Sequence, residues 1–476
     1  MFLGRHHELS QLQHLYDLQN FQLFILYGRR RVGKTSLLKE FCKDKNNIFF
    51  SAELSSNKHN LEKFSQTVFE HYGDSRTEPF ASWNSALHYI NDRQKNSRLL
   101  LIIDEFPYMA QYDTALLSNF QHMIDHELQN GNLFIILCGS YMAFMEKEVL
   151  SSKSPLFGRR TGQLQLKPFN YLESSFFMDG FTNEEKLMFY GAFGGTPLYL
   201  RQINPKESFK ENIINAFLHQ TSYLYEEPMF LLREELQQPA TYNAIIEAIA
   251  GGASKASEIS SKADEESSKC LKYIKVLRDL DILYKEIPFG EKESSRRAIY
   301  GINDFMFRFW YRYIFNNKTL IETDAQEIVW QYKIEPDYPT YMGLVFERAC
   351  KEFLLLLNTK GRLPFIFTNI GRWWGNDPQN KKQAEIDIIA NDHNDYIFCE
   401  CKWRNTPVDI NVLRTLQDRA NLILEHKDKG RVYYSLFSKA GFTDEVKNEA
   451  VKKDNVLFFD VNDLFNDVND LFNIDG

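Results

Sequence analysis

Long apolar runs, paired cysteines and an excess of basic charge are all missing from this 476-residue chain. No uncharged hydrophobic stretch reaches the ~18 residues that a membrane span needs, so no membrane partner is expected. Runs such as Leu99–Ile103 and Phe353–Leu357 have the length of core segments instead. The six cysteines (Cys42, Cys138, Cys270, Cys350, Cys399, Cys401) are scattered, with no Cys-x-x-Cys pair. That excludes a disulfide frame or a cysteine zinc site and leads us to expect reduced thiols in a cytoplasmic protein. The opening Met-Phe-Leu-Gly-Arg-His-His-Glu meets charge before an apolar signal core could form, so no secretory signal is expected. Basic residues number 56 against 64 acidic ones, for a net charge of -8. A surface coated in positive charge is thereby excluded, and any nucleic-acid contact must come from a local patch.

What is present is ordinary globular composition, 43% hydrophobic and 25% charged, which excludes a disordered chain or a coiled-coil rod. Length alone suggests about three domains. Up to about Pro205, short continuous apolar runs alternate with helical patterns. Phe21–Tyr27, Asn47–Ser51, Leu99–Ile103, Leu133–Cys138 and Gln163–Leu166 read as strands of a parallel sheet covered on both faces. From Leu236 to Ile302 three helices (Ala240–Ala250, Ala256–Lys262, Glu265–Asp281) precede two short strands (Ile282–Ile287, Ala298–Ile302), which is winged-helix order. An aromatic-rich stretch, Phe305–Phe315, follows. From Pro339 onward we expect a helix (Tyr341–Leu357), then strands at Pro364–Ile370, Glu385–Ala390 and Tyr396–Lys402. A helix (Asn411–Glu425), a strand (Arg431–Leu436), another helix and a strand (Val456–Phe459) come next. One repeat stands out: Asp460–Asn466 recurs as Asp467–Asn473, which reads as a duplication within a terminal helix.

Gly28-Arg29-Arg30-Arg31-Val32-Gly33-Lys34-Thr35 follows directly on an apolar strand and fits the spacing of a phosphate-binding loop. The two glycines let the backbone curl so that successive N–H groups face phosphate oxygens. Lys34 would reach the β- and γ-phosphates of ATP, the Thr35 hydroxyl would ligate Mg²⁺, and Ser36 continues the helix whose positive end faces the anion. The apolar run Leu99–Ile103 ends in Asp104 and Glu105. Asp104 would hold the Mg²⁺ shell, and Glu105 would orient and deprotonate the attacking water. A third apolar strand ends at Ser140, placed to sense the γ-phosphate or the water. Arg159 and Arg160 are either a charge-stabilising finger, in cis or from a neighbouring copy in a homo-oligomer, or a surface pair.

These residues carry a resemblance. The box Phe2-Leu-Gly4-Arg5-x-x-Glu8-Leu9, the arginine-rich loop, Ile-Ile-Asp104-Glu105-Phe106, Gly139-Ser140 and Gly194-Gly195-Thr196-Pro197-Leu-Tyr-Leu resemble the archaeal-type AAA ATPases, relatives of the signal-transducing STAND group. The similarity spans residues 1–235. It implies a strand order 5-1-4-3-2 with a helical lid, Arg5 near the adenine, and the turn ending in Pro197 closing over the base.

In the middle segment Lys269, Lys272, Lys275 and Arg278 recur along the third helix as a basic stripe. Lys255–Arg297 holds ten basic residues against nine acidic, a weak net charge for a groove reader. DNA contact and a packing or regulatory arm both stay open.

In the last segment, Glu385-Ile-Asp387 and Glu400-Cys-Lys402 lie on consecutive strands, where alternate residues share a face. Carboxylates gathered in a core need a cation or a network to neutralise them, and hard oxygen donors suit Mg²⁺ or Mn²⁺. The arrangement resembles the PD-(D/E)XK nuclease fold over residues 340–460, although the literal Pro-Asp pair is absent. By that resemblance Glu347, Asp387 and Glu400 would bind metal with Glu385 as an extra ligand, and Lys402 would activate the water. Trp373 and Trp374 either stack bases or belong to the core.

The expected whole is a multidomain α/β protein: an ATPase with lid over 1–235, a winged helix over 236–302, a helical connector over 303–338 and a restriction-endonuclease-like domain over 339–476. ATP hydrolysis would rearrange the winged helix and the endonuclease-like domain, acting on DNA. The rival is a nucleotide-gated interaction switch with a protein partner and no nuclease activity.

Overall fold

Alternate residues of the apolar runs go to opposite faces of a single sheet. In β1 (Gln22–Tyr27), Leu23 and Ile25 pack on one side with Phe64, Val68, Trp83 and Phe120. Phe24 and Leu26 pack on the other with Leu12, Leu37, Leu38 and Phe41. Both faces are covered, so the strands need no polar face, and full burial of each such side chain stabilises by about 1.5–3 kcal/mol. With β2 (Asn47–Ser51), β3 (Leu100–Asp104), β4 (Phe134–Gly139) and β5 (Gly162–Gln165), the sheet runs β2-β3-β4-β1-β5 with every neighbouring pair parallel. Counted from the other edge, this is the expected order. All six cysteines are free and buried.

The computed structural model describes residues 2–94, 98–111, 113, 115–378, 381–424 and 430–466. It divides into two units, Met1–Pro168 with Thr196–Leu198, and Phe169–Gly195 with Tyr199–Gly476. The first unit holds the sheet just described.

In the second unit, three helices, Pro239–Ala250, Ala256–Lys262 and Ser267–Asp279, precede an antiparallel hairpin of β6 (Leu283–Glu286) and β7 (Ile299–Ile302). The third helix stops without a glycine because Asp281 itself takes a left-handed conformation, φ 56°. Next come the aromatics. Phe305, Phe307, Phe309, Trp310, Tyr311 and Tyr313 are all buried, and the Trp310 indole N–H donates to the Tyr225 carbonyl at 2.7 Å.

The helix Tyr338–Thr359 then leads into a second sheet, β12-β11-β10-β9-β8. Its strands are β8 (Asn369–Asp377), β9 (Lys382–Asp392), β10 (Asp395–Lys402), β11 (Val432–Ser438) and β12 (Val456–Asp460). β8, β9 and β10 are antiparallel neighbours, while β10, β11 and β12 are parallel. The helix Ile410–Leu424 covers one face. The expected strand at Pro364–Ile370 is displaced. Phe365 and Phe367 are buried, but Asn358 holds the backbone of Phe367 at both N–H (2.9 Å) and C=O (3.0 Å), and β8 begins only at Asn369. The first copy of the repeat splits between the end of β12 and one helical turn, Asp463–Asn466. Its second copy, Asp467–Asn473, and the expected helix end at Glu425 lie outside the described residues.

One backbone contact tests this packing. A Cβ on Gly195 would lie 1.8 Å from the Phe169 carbonyl oxygen, whose own N–H donates to the Gly195 carbonyl at 2.8 Å. Gly195→Ala should therefore cost about 1–3 kcal/mol or more. Gly343→Ala, inside a helix with open space around the new methyl, should stabilise by about 0.5–1 kcal/mol. Thermal melts of the two variants should shift in opposite directions.

Candidate functional site

The three central strands of the first sheet end at the same edge, and each ends in a polar group. Beyond β1 the chain turns through Gly28, where a Cβ would meet the Leu166 carbonyl oxygen at 2.5 Å, and enters the helix Lys34–Cys42 through Gly33 at φ 94°. Arg31 is also left-handed, φ 70°. The curl is secured from inside: the buried Lys34 ammonium donates to the carbonyls of Gly28 (2.7 Å) and Arg29 (2.9 Å). Thr35 Oγ1 donates to Asp104 Oδ2 at 2.7 Å, tying the loop to the end of β3, and Ser36 is exposed on the same helical turn. Asp104 is buried, and its other oxygen accepts from the Glu105 N–H at 3.0 Å.

Glu105 sits at φ 52°, a strained conformation for a residue with a side chain. From the end of β4, Ser140 Oγ donates to Glu105 Oε1 at 2.6 Å, and the Ser140 N–H donates to Oε2 at 3.3 Å. Ser140 thus grips the carboxylate expected to handle the water. Arg29 donates to Thr196 Oγ1 at 2.6 Å, and Arg30 to the Tyr108 hydroxyl at 2.8 Å. Val32 is buried and its carbonyl accepts from Arg5, whose guanidinium also meets Lys167 O and Glu8. Pro197 lies 3.7 Å from the position of a Gly33 Cβ.

The expected finger residues are engaged elsewhere in this unit. Arg159 forms a two-pronged pair with Asp125, both bonds 2.7 Å, and Arg160 donates to the Leu150 carbonyl at 2.8 Å. Thr196 and Tyr108 were not singled out in the sequence as partners of the loop arginines. Thr196 lay within a recognised box, but nothing marked Tyr108. An amide-lined curl, a buried lysine and a hydroxyl beside a buried aspartate fit the triphosphate of ATP and its Mg²⁺.

In the second unit, the acidic residues of β9 and β10 do meet. The β9–β10 ladder ends at Cys399↔Ile388, and beyond it the Cys401 N–H donates to the Asp387 side chain, at Oδ2, 2.8 Å. Glu400, only 5% exposed, accepts from Lys402 at 2.6 Å and from Arg419 at 3.3 Å. Glu385 is exposed and pairs with Arg372 at 2.7 Å, while Arg372 stands 4.0 Å from Glu347. Burial, then the charge of Asp387, pushes the Glu347 carboxyl well above its ordinary range. Burial, then Glu400, does the same to Asp387. Burial works against the charges of Lys402 and Arg372, but the neighbouring carboxylates outweigh it and hold both protonated.

The expected metal ligands are each engaged by other groups of this unit. Among the described residues no group of three or more His, Cys, Asp or Glu side chains is arranged to hold a metal ion. Lys402 and Arg419 neutralise Glu400, Arg372 takes Glu385, and the Cys401 backbone amide takes Asp387. Arg372 and Arg419 were missed in the sequence, and an arginine on the face of the helix expected next to the acidic strands was the available signal. The two tryptophans divide: Trp373 packs against the core on the side of the Ile410–Leu424 helix, and Trp374, one residue on, lines a cleft.

A parallel sheet that delivers such a loop, an aspartate and a glutamate to one edge defines a P-loop ATPase. The family described as an ATPase domain predominantly from Archaea matches residues 2–203, and one described as archaea bacterial proteins of unknown function matches residues 310–417. An uncharacterized protein of Methanocaldococcus jannaschii is 32% identical over 468 residues, 97% of this chain and 100% of that one. An uncharacterized ATP-binding protein of the same organism is 49% identical over 45 residues, 10% of this chain and 76% of its own length. Among solved structures, the Walker-type ATPase of Pyrococcus abyssi is 21% identical with a TM-score of 0.49, covering 65% of this chain and 96% of that one. The Aeropyrum pernix ORC2 protein is 14% identical with a TM-score of 0.41, covering 67% and 94%. On its full-length relationship to the first Methanocaldococcus jannaschii protein, the chain belongs to that protein's family, and it carries the ATPase domain together with the domain of unknown function. Among the described residues no helix is long and apolar enough to cross a membrane.

Two expectations follow. Ser140→Ala should leave Glu105 unaimed, lowering kcat about tenfold to a hundredfold with little change in the KM for ATP; a KM effect alone would mean that Ser140 only shapes the binding loop. In the acidic cluster, the folded protein retains protons that the unfolded chain releases. Stability should therefore fall as pH rises from about 4.5, the ordinary glutamate value, to about 8. Melting temperatures taken in EDTA should show that slope, and Glu347→Gln should flatten it.

Proposed function

We propose that the chain couples Mg²⁺-dependent ATP hydrolysis to rearrangement of a winged helix and a nuclease-like domain that act on DNA. The observation that carries the first half is the pair of short bonds at one sheet edge, Thr35 to Asp104 at 2.7 Å and Ser140 to Glu105 at 2.6 Å. In this reading the loop amides and Lys34 bind the triphosphate, and Thr35 and Asp104 hold Mg²⁺, which neutralises phosphate charge when bound. Glu105 accepts the proton of the attacking water at a carboxylate oxygen, and Ser140 keeps that carboxylate in place. Arg5 and Pro197 flank the base. We take the working parts as residues 1–235, 236–302, 303–338 and 339–476, and the six reduced thiols favour a cytoplasmic setting.

The acid–lysine cluster around Asp387 supports DNA as the partner of the second half. One observation favours the rival reading, a nucleotide-gated switch without cleavage: Glu400 is already neutralised by Lys402 and Arg419.

Lys34→Ala and Glu105→Gln should each abolish phosphate release, with Glu105→Gln still binding labelled ATP. Undiminished hydrolysis in either would remove the assignment. Branched, single- and double-stranded DNA incubated with Mg²⁺ or Mn²⁺, with and without ATP, separates the two readings. Cleavage lost in Asp387→Ala and in EDTA supports the nuclease-like domain, and intact DNA throughout supports the switch.

A further inference from the structure

The loop between β6 and β7 is anchored on the C-terminal sheet. The Phe289 N–H donates to the Arg372 carbonyl at 2.8 Å. The Arg297 guanidinium donates to the Trp374 carbonyl and pairs with Glu291 at 2.5 Å. Beside this anchor opens a cleft of about 1020 Å³ whose walls carry Lys255, Arg296, Arg297, Arg372, Arg419 and Trp374. Glu385 is the one carboxylate among its described lining residues. Five cations to one acid is a sharp local inversion in a chain of net charge -8.

The cations are not all spent on neighbours. Arg372 and Arg419 share their charge with the acidic cluster, and Lys255 stands 3.9 Å from Glu258. Arg296 is exposed and makes no hydrogen bond or ion pair among the described residues. A concave wall of like charge focuses its field and favours an anion. The volume is at the upper limit of small-ligand pockets, far more than one phosphate needs. A chain of phosphates spaced along the cleft would engage several of these cations at once and release their counterions. Trp374 adds a ring face of the kind on which an unpaired base stacks.

We propose that this cleft binds a strand of nucleic acid, its phosphates on Lys255, Arg296, Arg372 and Arg419 and an unpaired base on Trp374. The proposal rests on the reading of the second half as acting on DNA, and it sets the strand beside the Asp387–Glu400–Lys402 cluster without requiring that the strand be cut. Neither the exposed stripe of the Ser267–Asp279 helix nor the nucleotide site takes part.

Fluorescence anisotropy of the full chain with labelled single-stranded and duplex oligonucleotides tests this, in EDTA and without nucleotide, between ~50 and ~200 mM salt. Because neither cleavage nor hydrolysis is read, failure of those activities leaves the proposal standing, and absence of binding overturns it whatever the turnover. Lys255→Glu with Arg296→Glu should raise the Kd about tenfold or more and lower the salt slope by about two. Arg296→Ala alone should move the same way, and unchanged melting temperatures would show both variants folded. Trp374→Ala should weaken single-strand binding about tenfold and duplex binding less. Lys272→Glu with Lys275→Glu should change nothing. Equal binding by wild type and the cleft variants, or loss in the helix-stripe variant alone, overturns the assignment. So does a poly-glutamate competitor as effective as unlabelled oligonucleotide, which would make the cleft a site for an acidic protein.

Discussion

Thr35 reaches Asp104 at 2.7 Å because β3 and β1 flank β4 in parallel and in register, Leu100 and Gln22 both opposite Phe134. Everything chemical in the first unit depends on that alignment. Parallel strands end at the same edge, so each contributes whatever residue follows its last apolar position. β1 contributes the loop, β3 the two acids and β4 the serine. Because the three central strands β3, β4 and β1 are buried on both faces, they are apolar between their ends and polar chemistry is confined to those ends. The left-handed backbone at Glu105 persists because the surrounding bonds from Asp104 and Ser140 fix it on both sides.

The C-terminal sheet handles charge differently. Here carboxylates stand within the sheet, where isolated ionised groups are costly. Asp387 takes a backbone amide at the point where the ladder stops, and Glu400 takes one lysine and one arginine. Arg372 serves two acids from the next strand. Removing one cation would leave its partner carboxylate uncompensated in a buried setting, a larger loss than any exposed ion pair could cause. The same arginines border the basic cleft, so the cluster and the cleft are electrostatically continuous.

Much of this was legible in the residues. The first five strands, the loop, Asp104 and Glu105 followed from apolar runs punctuated by glycine or acid, the strand order came only with the family resemblance, and the structure places the strands within a residue or so. The three helices and hairpin were likewise visible. What sequence could not supply were long-range pairings. Nothing in Pro364–Ile370 tells that Asn358 will hold the backbone of Phe367, and nothing in a lone Arg419 tells that it will reach Glu400 from a helix nineteen residues on. The same limit applied to Arg159, whose partner Asp125 is distant in sequence.

Arg372 occupies an irregularity: the register of β8 against β9 slips between Gly371 and Trp373. The extra residue lies on β9, where Asp387 and Ile388 together stand opposite Arg372. It shifts the parity of β9, so Ile386 and Ile389, three residues apart, both pack on the side of the Ile410–Leu424 helix. Losing a single residue between Ile386 and Ile389 would turn one of them away from that helix. Along this short stretch, chain length is therefore constrained more tightly than residue identity.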